Sequence, residues 1–179
     1  MTTETPQLND HKQNCGSASA ESKPDCIMPS ASNFAEGKAE YPPMHTVEHI
    51  LNQTMVRMFA CGRSRNAHIE RKKSKCDYIL PCEPTAEQIA EIENRVNDVI
   101  KQNMPVTIEF VTRENVPAEV DLSKLPADAS ETLRIVRVGD YDVCACIGTH
   151  VANTSEIGEF KIISHSWENN TLRLRFKLI

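Results

Sequence analysis

Apolar residues recur at helical spacing just after the first forty residues of the chain. From Met44 to about Phe59 they follow one another at three- and four-residue steps on one helix face, at Val47, Ile50, Leu51, Met55 and Met58. Pro42 and Pro43 resist helix continuation from upstream and predict an extended entry into this helix. Gly62 is its predicted stop.

A second helix is marked by clearer boundary signals. Thr85 is placed to cap it, Gln88 three residues later completes a capping box, and Pro105 follows its end. Its apolar stripe consists of Ile89, Ile92, Val96, Val99 and Ile100. We therefore assign this helix to the architecture of the domain and not to its chemistry.

Alternation of apolar and polar residues predicts the strands. Residues 106–110 alternate as a half-buried strand does, and residues 133–138 and 141–146 form two strands around Gly139-Asp140. The last hairpin runs over residues 160–167 and 171–179, with its turn at Asn169-Asn170. Residues 66–80 are predicted as strand and loop, and the polar stretch 113–130 as a surface excursion. The fold class is therefore α/β of the α+β kind, with a mostly antiparallel sheet and a few covering helices.

Composition divides the 179-residue chain in two. Residues 1–40 are rich in Ser, Ala, Asn, Pro and Glu, which predicts a flexible low-complexity extension ahead of a single domain over residues 41–179. The chain has no run of eighteen apolar residues, and its N-terminus has neither a basic start nor an apolar run. A cytoplasmic protein without a membrane anchor is the expectation.

The net charge of −5 conceals one basic stretch. Between residues 63 and 75, Glu70 is the only acid among the basic residues Arg63, Arg65, Arg71, Lys72, Lys73 and Lys75. Such a strip on a mildly acidic body can meet a phosphate backbone. The alternative is a solvated charged loop without a partner.

Two pairs of potential metal ligands lie about a hundred residues apart. His45 and His49 stand four residues apart on the first helix, so both imidazoles lie on one face, one turn apart. Cys146 and His150 follow a predicted strand with Gly148 between them, and a thiolate and three imidazoles form a sensible zinc set. Either pair alone is a weak signal, since short His motifs often arise by accident on polar faces. Cys144, two residues upstream on the same strand face, is an alternative thiolate.

The residues around these ligands resemble a known family. The segments HTVEH at 45–49, CIGTH at 146–150 and VANTSEIGEFKI at 151–162 resemble the editing domain of alanyl-tRNA synthetases and, less closely, the related domain of threonyl-tRNA synthetases. The likeness extends from His45 to Ile179 and is strongest to the short, free-standing AlaX-type editing proteins. Two departures are Ile147, where synthetases usually have Gly, and Ser155, which replaces the Gly of the usual TGEIG run.

The resemblance implies a trans-editing deacylase that hydrolyses the ester of mischarged tRNA, most plausibly Ser- or Gly-tRNA(Ala), with a Zn2+ cofactor. It implies that His45, His49, Cys146 and His150 surround the zinc. The tRNA acceptor end would then meet the basic residues Arg63, Arg65, Arg71, Lys72 and Lys73. No protein general base is evident from spacing, and the oligomeric state is not indicated.

The sequence allows alternative roles for the residues around the ligands. Thr46 and Thr149 adjoin ligands, so each could bond a substrate serine hydroxyl or serve only as a cap or loop residue. A catalytic zinc usually keeps one position open, so one of four ligands, with His150 as the candidate, would yield to water or substrate. The alternative is a closed zinc that shapes the pocket. The competing functions are a non-catalytic zinc-binding tRNA or protein adaptor and, third, a redox protein using Cys144 and Cys146.

Overall fold

The first helix begins at the prolines themselves. In the computed structural model, which describes residues 41–120 and 131–179, helix α1 spans Pro42–Phe59. The chain enters the helix in an extended conformation at Tyr41, as predicted, with φ of −108° and ψ of 98°. Pro42 and Pro43 themselves occupy the first helical turn, where the missing N–H costs no helical hydrogen bond. The helix ends at Ala60, whose left-handed φ of 49° closes it two residues before Gly62, the predicted stop.

The second helix, α2 (Ala86–Lys101), confirms its predicted capping box. The N–H of Gln88 donates to Thr85 Oγ1 at 3.2 Å, and the N–H of Thr85 donates to Gln88 Oε1 at 2.9 Å. All five residues of the predicted stripe are buried. Both helices contribute to the main core.

Four strands form the larger sheet, in the order β1-β2-β7-β6, and every neighbouring pair is antiparallel. They are β1 (Asn66–His68), β2 (Ser74–Ile79), β6 (Phe160–Glu168) and β7 (Thr171–Leu178). The predicted turn of the last hairpin is confirmed: Asn169 and Asn170 have φ of 50° and 57°, as a tight hairpin turn with two left-handed residues requires. Leu172, Leu174 and Phe176 are buried from β7.

Three strands form the smaller antiparallel sheet, in the order β3-β4-β5. They are β3 (Val106–Thr112), β4 (Thr132–Val138) and β5 (Asp142–Ala145), and the β4–β5 turn passes through Gly139 as predicted. The expectation of a half-buried β3 was wrong. It is an edge strand, and Ile108 and Phe110 on its apolar face are 47% and 68% exposed.

The main core joins both helices to the larger sheet, as the predicted class of antiparallel sheet with covering helices requires. Its fully buried members include Met44, Ile50, Met55, Tyr78, Ile92, Leu174 and Phe176. In the described part of the chain, single-turn 3-10 helices lie in the connections at Arg113–Asn115 and Thr154–Glu156. The predicted tail (1–40) and the second half of the surface excursion (121–130) lie outside the described residues.

Helix α1 also packs against β5 of the smaller sheet. This contact places the buried face of the first helical turns against the strand that leads to Cys146, and so determines where the site forms. Within residues 41–120 and 131–179, no helix has the length and apolar character needed to cross a membrane.

Candidate metal centre

Four residues from two elements converge at the contact between α1 and β5. His45 and His49 lie one turn apart on α1 and are 7% and 2% exposed. Cys146 and His150 come from the loop after β5, and one ligand atom from each of the four lies within 4.8 Å of the others. The His150 ring centroid is 4.4 Å from that of His45 and 4.5 Å from that of His49. The structure therefore brings the two predicted segments together, in a cluster that could hold a metal ion.

The loop that carries Cys146 and His150 is held close to α1. A Cβ on Gly148 would lie 1.9 Å from Cε1 of His45, so only glycine allows the backbone this near the imidazole. On the other side, Arg134 Nη1 donates to the carbonyl oxygen of Cys146 at 2.5 Å, and the N–H of Cys146 donates to the carbonyl oxygen of Arg134 at 3.1 Å. The loop therefore lies between β4, to which it is hydrogen-bonded at Arg134, and the His45 ring of α1.

Hydrogen bonds at Thr46 determine the orientation of the His150 ring. Thr46 Oγ1 donates to the Pro42 carbonyl oxygen at 2.8 Å, so its remaining capacity is to accept. It accepts from the N–H of Val151 at 3.2 Å and lies 3.2 Å from His150 Nδ1, which must then carry the ring proton. Nε2 of His150 is left unprotonated, and it is buried with no hydrogen-bond partner.

That orphaned nitrogen tests whether the cluster fits a metal ion. Buried polar atoms are nearly always hydrogen-bonded, and an exception calls for an explanation. An imidazole nitrogen without a proton, beside one thiol and two further imidazoles, has the chemistry of a metal donor. The donor set fits a zinc-type ion.

The electrostatics at Cys146 and His150 favour the forms of these two side chains that bind metals. Burial opposes ionisation of the Cys146 thiol, but the neighbouring imidazoles of His150, His45 and His49 outweigh it and lower its pKa to about 2. Burial also lowers the pKa of His150, helped by the nearby His49 and His45. A thiolate and a neutral imidazole are the states that coordinate metals.

A second group of polar side chains surrounds His49 on the side of β5. Asp142 Oδ2 and Cys144 Sγ each lie 3.3 Å from His49 Nδ1, and Arg63 donates to both carboxylate oxygens of Asp142, at 2.6 and 3.1 Å. Burial lowers the pKa of His49, but Cys144 and Asp142 outweigh it, so its pKa lies well above the usual value. Sequence reasoning missed Asp142 entirely and considered Cys144 as an alternative thiolate to Cys146 or as its partner in a redox protein.

Glu48 lies between the two helical histidines in the sequence, and its side chain belongs to a buried hydrogen-bond network. Its Oε1 accepts from Asn52 Nδ2 at 2.5 Å and from Ser64 Oγ at 3.3 Å. Asn52 Oδ1 in turn accepts from the N–H of Ser64 and from the hydroxyl of Tyr78. The network joins α1 to the segment before β1 and to β2, so we assign Glu48 to the structure of the domain.

The two threonines predicted to contact substrate have different surroundings. Thr46 is completely buried and its hydroxyl serves Pro42, Val151 and His150, which does not favour a substrate contact. Thr149 is exposed on the loop between Cys146 and His150. Ile147, the departure from glycine, is 75% exposed on the same loop.

The basic residues of the predicted tRNA strip also separate into two groups. Arg71, Lys72 and Lys73 are exposed at the turn between β1 and β2, with Arg71 5.0 Å from the ring centroid of Tyr41, and Arg65 is exposed just before β1. Arg63 differs, because its side chain is 11% exposed and bonded to Asp142. It lines a cavity of about 430 Å³ together with Asp142, Cys144, Arg57 and Tyr141.

Known proteins resemble this chain in its sequence. Residues 133–175, which include Cys146 and His150, match the family model described as the threonyl and alanyl tRNA synthetase second additional domain. The alanine–tRNA ligase of Caldicellulosiruptor saccharolyticus is 34% identical over 130 residues, which cover 68% of this chain and 14% of the ligase. The alanine–tRNA ligase of Fervidobacterium nodosum is 32% identical over 123 residues, with the same shares. That of Methylacidiphilum infernorum is 35% identical over 121 residues, or 66% of this chain and 13% of the ligase.

The α+β fold, the histidine–cysteine cluster and the family model together define the class, a domain similar to the editing domain of tRNA synthetases. Within that class the relatives described above are alanine–tRNA ligases, so the chain resembles the alanyl branch. The chain spans about 14% of the length of these relatives.

Proposed function

We propose that this protein is a trans-editing deacylase that hydrolyses the ester bond of mischarged tRNA, with Ser- or Gly-tRNA(Ala) as its substrate. The observation that carries the proposal is the assembly of His45, His49, Cys146 and His150 into one cluster, in a chain similar to the alanyl-tRNA synthetase editing domain. Free-standing action in the cytoplasm, without a synthetase body, is part of this proposal.

The four clustered residues would hold Zn2+. When bound, zinc supplies Lewis acidity, the property that polarises an ester carbonyl. The residues of the chain supply the rest: Cys146 provides the negative charge, and Thr46 holds the ring proton on His150 Nδ1 so that Nε2 is free to bind. The close approach of Gly148 to the His45 ring brings the loop that carries Cys146 and His150 next to α1.

A catalytic zinc has three protein ligands and one exchangeable position, so four donors are one too many. His150 is our candidate for the donor that yields. It comes from a loop and is only partly buried, whereas His45 and His49 are buried on a helix. The absorption spectrum of the cobalt(II)-substituted protein tests this, since substrate analogues should change a spectrum with an exchangeable position and leave a closed site unaltered.

Substrate contacts are assigned to the exposed side of the same loop and to the basic turn. Thr149 is the candidate partner of a serine hydroxyl, since it is exposed beside two of the donors. Arg65, Arg71, Lys72 and Lys73 are candidates for the acceptor-stem phosphates, with binding that weakens as salt rises. Arg63 is not among them, because its guanidinium is committed to Asp142.

The direct test is release of the amino acid from Ser-tRNA(Ala), Gly-tRNA(Ala) and Ser-tRNA(Thr). Wild type is compared with Cys146→Ala and His49→Ala, each assayed for bound zinc. Cys61→Ala and His165→Ala are matched controls, because Cys61 is a core cysteine, His165 is an exposed histidine on β6, and neither belongs to the clustered metal-ligand groups. Metal-dependent release of one mischarged amino acid, with Ala-tRNA(Ala) spared, is the expected result.

One observation favours a second function, a non-catalytic zinc-binding adaptor for tRNA or protein. Four donors without a spare position are typical of structural zinc sites. A folded, zinc-loaded protein that binds tRNA but releases no amino acid from any of the three substrates would select this function over the deacylase.

A further inference from the structure

The two nitrogens of the His49 imidazole have different tasks. Nδ1 lies 3.3 Å from Asp142 Oδ2 and 3.3 Å from Cys144 Sγ, both of which are buried on β5. A neutral imidazole carries one proton, and the nitrogen that faces acceptors is the one that holds it. With the proton on Nδ1, Nε2 is the nitrogen left for the metal cluster.

Asp142 is itself held in one orientation. Arg63 donates from Nη1 to Oδ1 at 2.6 Å and from Nη2 to Oδ2 at 3.1 Å, and the Asp142 side chain is 1% exposed. Such two-point contacts between a guanidinium and a carboxylate restrict rotation of the carboxylate plane. The same oxygen, Oδ2, therefore faces both Arg63 and His49.

His49, Asp142 and Cys144 are close enough together to form a second metal site. The position of Arg63 argues against that use, because its cation already neutralises the carboxylate at 2.6 Å and would repel an incoming ion. The group is better explained as support for a ligand than as a ligand set of its own.

We infer that Asp142, clamped by Arg63, is a positioning residue that holds the proton on His49 Nδ1 and aims His49 Nε2 into the metal cluster. This inference rests on the proposed metal function. Carboxylates that accept from the far nitrogen of a ligating histidine fix its tautomer and orientation and raise its basicity. Thr46 has a similar orienting role for His150, because its hydroxyl lies 3.2 Å from His150 Nδ1. Two histidines from different elements are therefore each oriented through their Nδ1 atom.

The test is the zinc affinity of the full chain, measured by competition with a chromogenic chelator, with the visible spectrum of the cobalt(II) form as a second readout. Asp142→Ala should weaken zinc binding about 10- to 100-fold, the usual effect of losing such a residue. Asp142→Asn keeps an acceptor oxygen but no charge, so it should lie between Asp142→Ala and wild type. Arg63→Lys should weaken binding less than Asp142→Ala and shift the cobalt spectrum.

Asp77→Asn is the matched control, because Asp77 forms the same two-point contact with Arg173 within the larger sheet and is absent from both metal-ligand groups. It should leave zinc affinity within about twofold of wild type, well below the loss expected at Asp142. Circular dichroism establishes that each variant is folded, and if Asp142→Ala does not fold, Asp142→Asn and Arg63→Lys carry the test.

The outcomes separate this inference from the proposed function. Folded Asp142 and Arg63 variants with wild-type zinc affinity and an unchanged cobalt spectrum would overturn the inference and leave the metal site standing. A wild-type protein that binds no zinc would overturn both. Zinc binding that is weakened as expected, in a protein without deacylase activity, would support the inference and remove the proposed reaction.

Discussion

Two aspartate–arginine pairs of similar geometry lie in different regions of this molecule. Asp142 and Arg63 meet beside α1 and β5, and Asp77 and Arg173 meet between the neighbouring strands β2 and β7. Both contacts are two-point, and both aspartates are buried. The pairs differ in what else surrounds them. The Arg63 side chain is 11% exposed and its aspartate also faces His49, whereas the Arg173 side chain is 39% exposed on a sheet surface.

The geometry of an ion pair alone therefore does not reveal its role. A half-exposed pair on a sheet contributes little beyond local stability, since solvent screens it. The same kind of pair buried against a histidine of the candidate metal cluster offers a charge and an orientation that such a histidine could use. The larger sheet is thus the region whose substitutions should affect stability, and the α1–β5 contact the region whose substitutions should affect zinc.

The largest expected effect lies in the larger sheet. Phe176→Ala removes a completely buried ring that packs on Phe160 and should lower the free energy of unfolding by about 3–5 kcal/mol. Denaturant titration measures this loss, and zinc affinity is measured on the folded fraction. If the zinc affinity of the folded variant falls together with its stability, the two regions are not independent and the prediction is contradicted.

Next comes loss of a proposed ligand. Cys146→Ala should weaken zinc binding more than about 100-fold, beyond the range typical of supporting residues, because the thiolate supplies the charge of the cluster. Equilibrium dialysis with metal analysis measures the effect. Stoichiometric, tight zinc in this variant would show that Cys144 or another group is the thiolate.

Effects of intermediate size are expected at two glycines, Gly148 beside the metal cluster and Gly158 before β6. An alanine Cβ at 148 would collide with the His45 ring, so Gly148→Ala should weaken zinc binding about tenfold, as a displaced ligand does. Gly158→Ala meets a different obstacle, a φ of +88° with the carbonyl oxygen of Ile179 at 2.9 Å, and should cost about 1–3 kcal/mol of stability. Equal zinc affinity in the two variants would contradict the tight fit at His45.

A smaller effect is expected at the sheet ion pair, and it depends on pH. Hydrogen bonding to Arg173 lowers the pKa of Asp77, so its stabilisation is present above the unfolded-state pKa, about 4, and is lost as pH falls below it. Because Arg173 is half-exposed, Asp77→Asn should cost no more than about 1 kcal/mol at pH 7. Denaturant titrations of both proteins at pH 7 and pH 3 should show this difference shrinking with acid, and a constant difference would be inconsistent with it.

The smallest effect is expected at the basic turn between β1 and β2, which contains neither ion pair. Lys72→Ala combined with Lys73→Ala should weaken tRNA binding about two- to fivefold at low salt and less at high salt, because both side chains are exposed and would act through phosphate charge. Filter binding over a range of salt concentrations measures this. An effect that does not change with salt would exclude phosphate contact by these lysines.

Much of the architecture could be predicted from local patterns. The capping box at Thr85 and the Asn169-Asn170 turn are short-range signals whose chemistry is complete within a few residues, and both are confirmed. The burial of β3 was mispredicted, because alternation indicates a strand but cannot tell whether another layer covers its apolar face. The helix stop was misplaced because Ala60, and not Gly62, takes the left-handed conformation.

The site was predictable to the extent that its residues came in close pairs. His45 with His49, and Cys146 with His150, each carry a local spacing, and the structure brings the two pairs together. Asp142 and Arg63 are 79 residues apart and carry no such spacing. An aspartate at the start of a strand and an arginine in a basic run have common, unremarkable sequence contexts, so only the fold reveals that they support His49.

The proposed zinc-dependent deacylation is tested by one experiment on wild-type protein with Ser-tRNA(Ala). Serine release is measured before zinc is removed with a chelator, after its removal, and after one equivalent is restored. Release should be lost on removal of zinc and recovered with the first equivalent. Equal release by the zinc-free protein, or none by the folded, zinc-loaded protein, would contradict it.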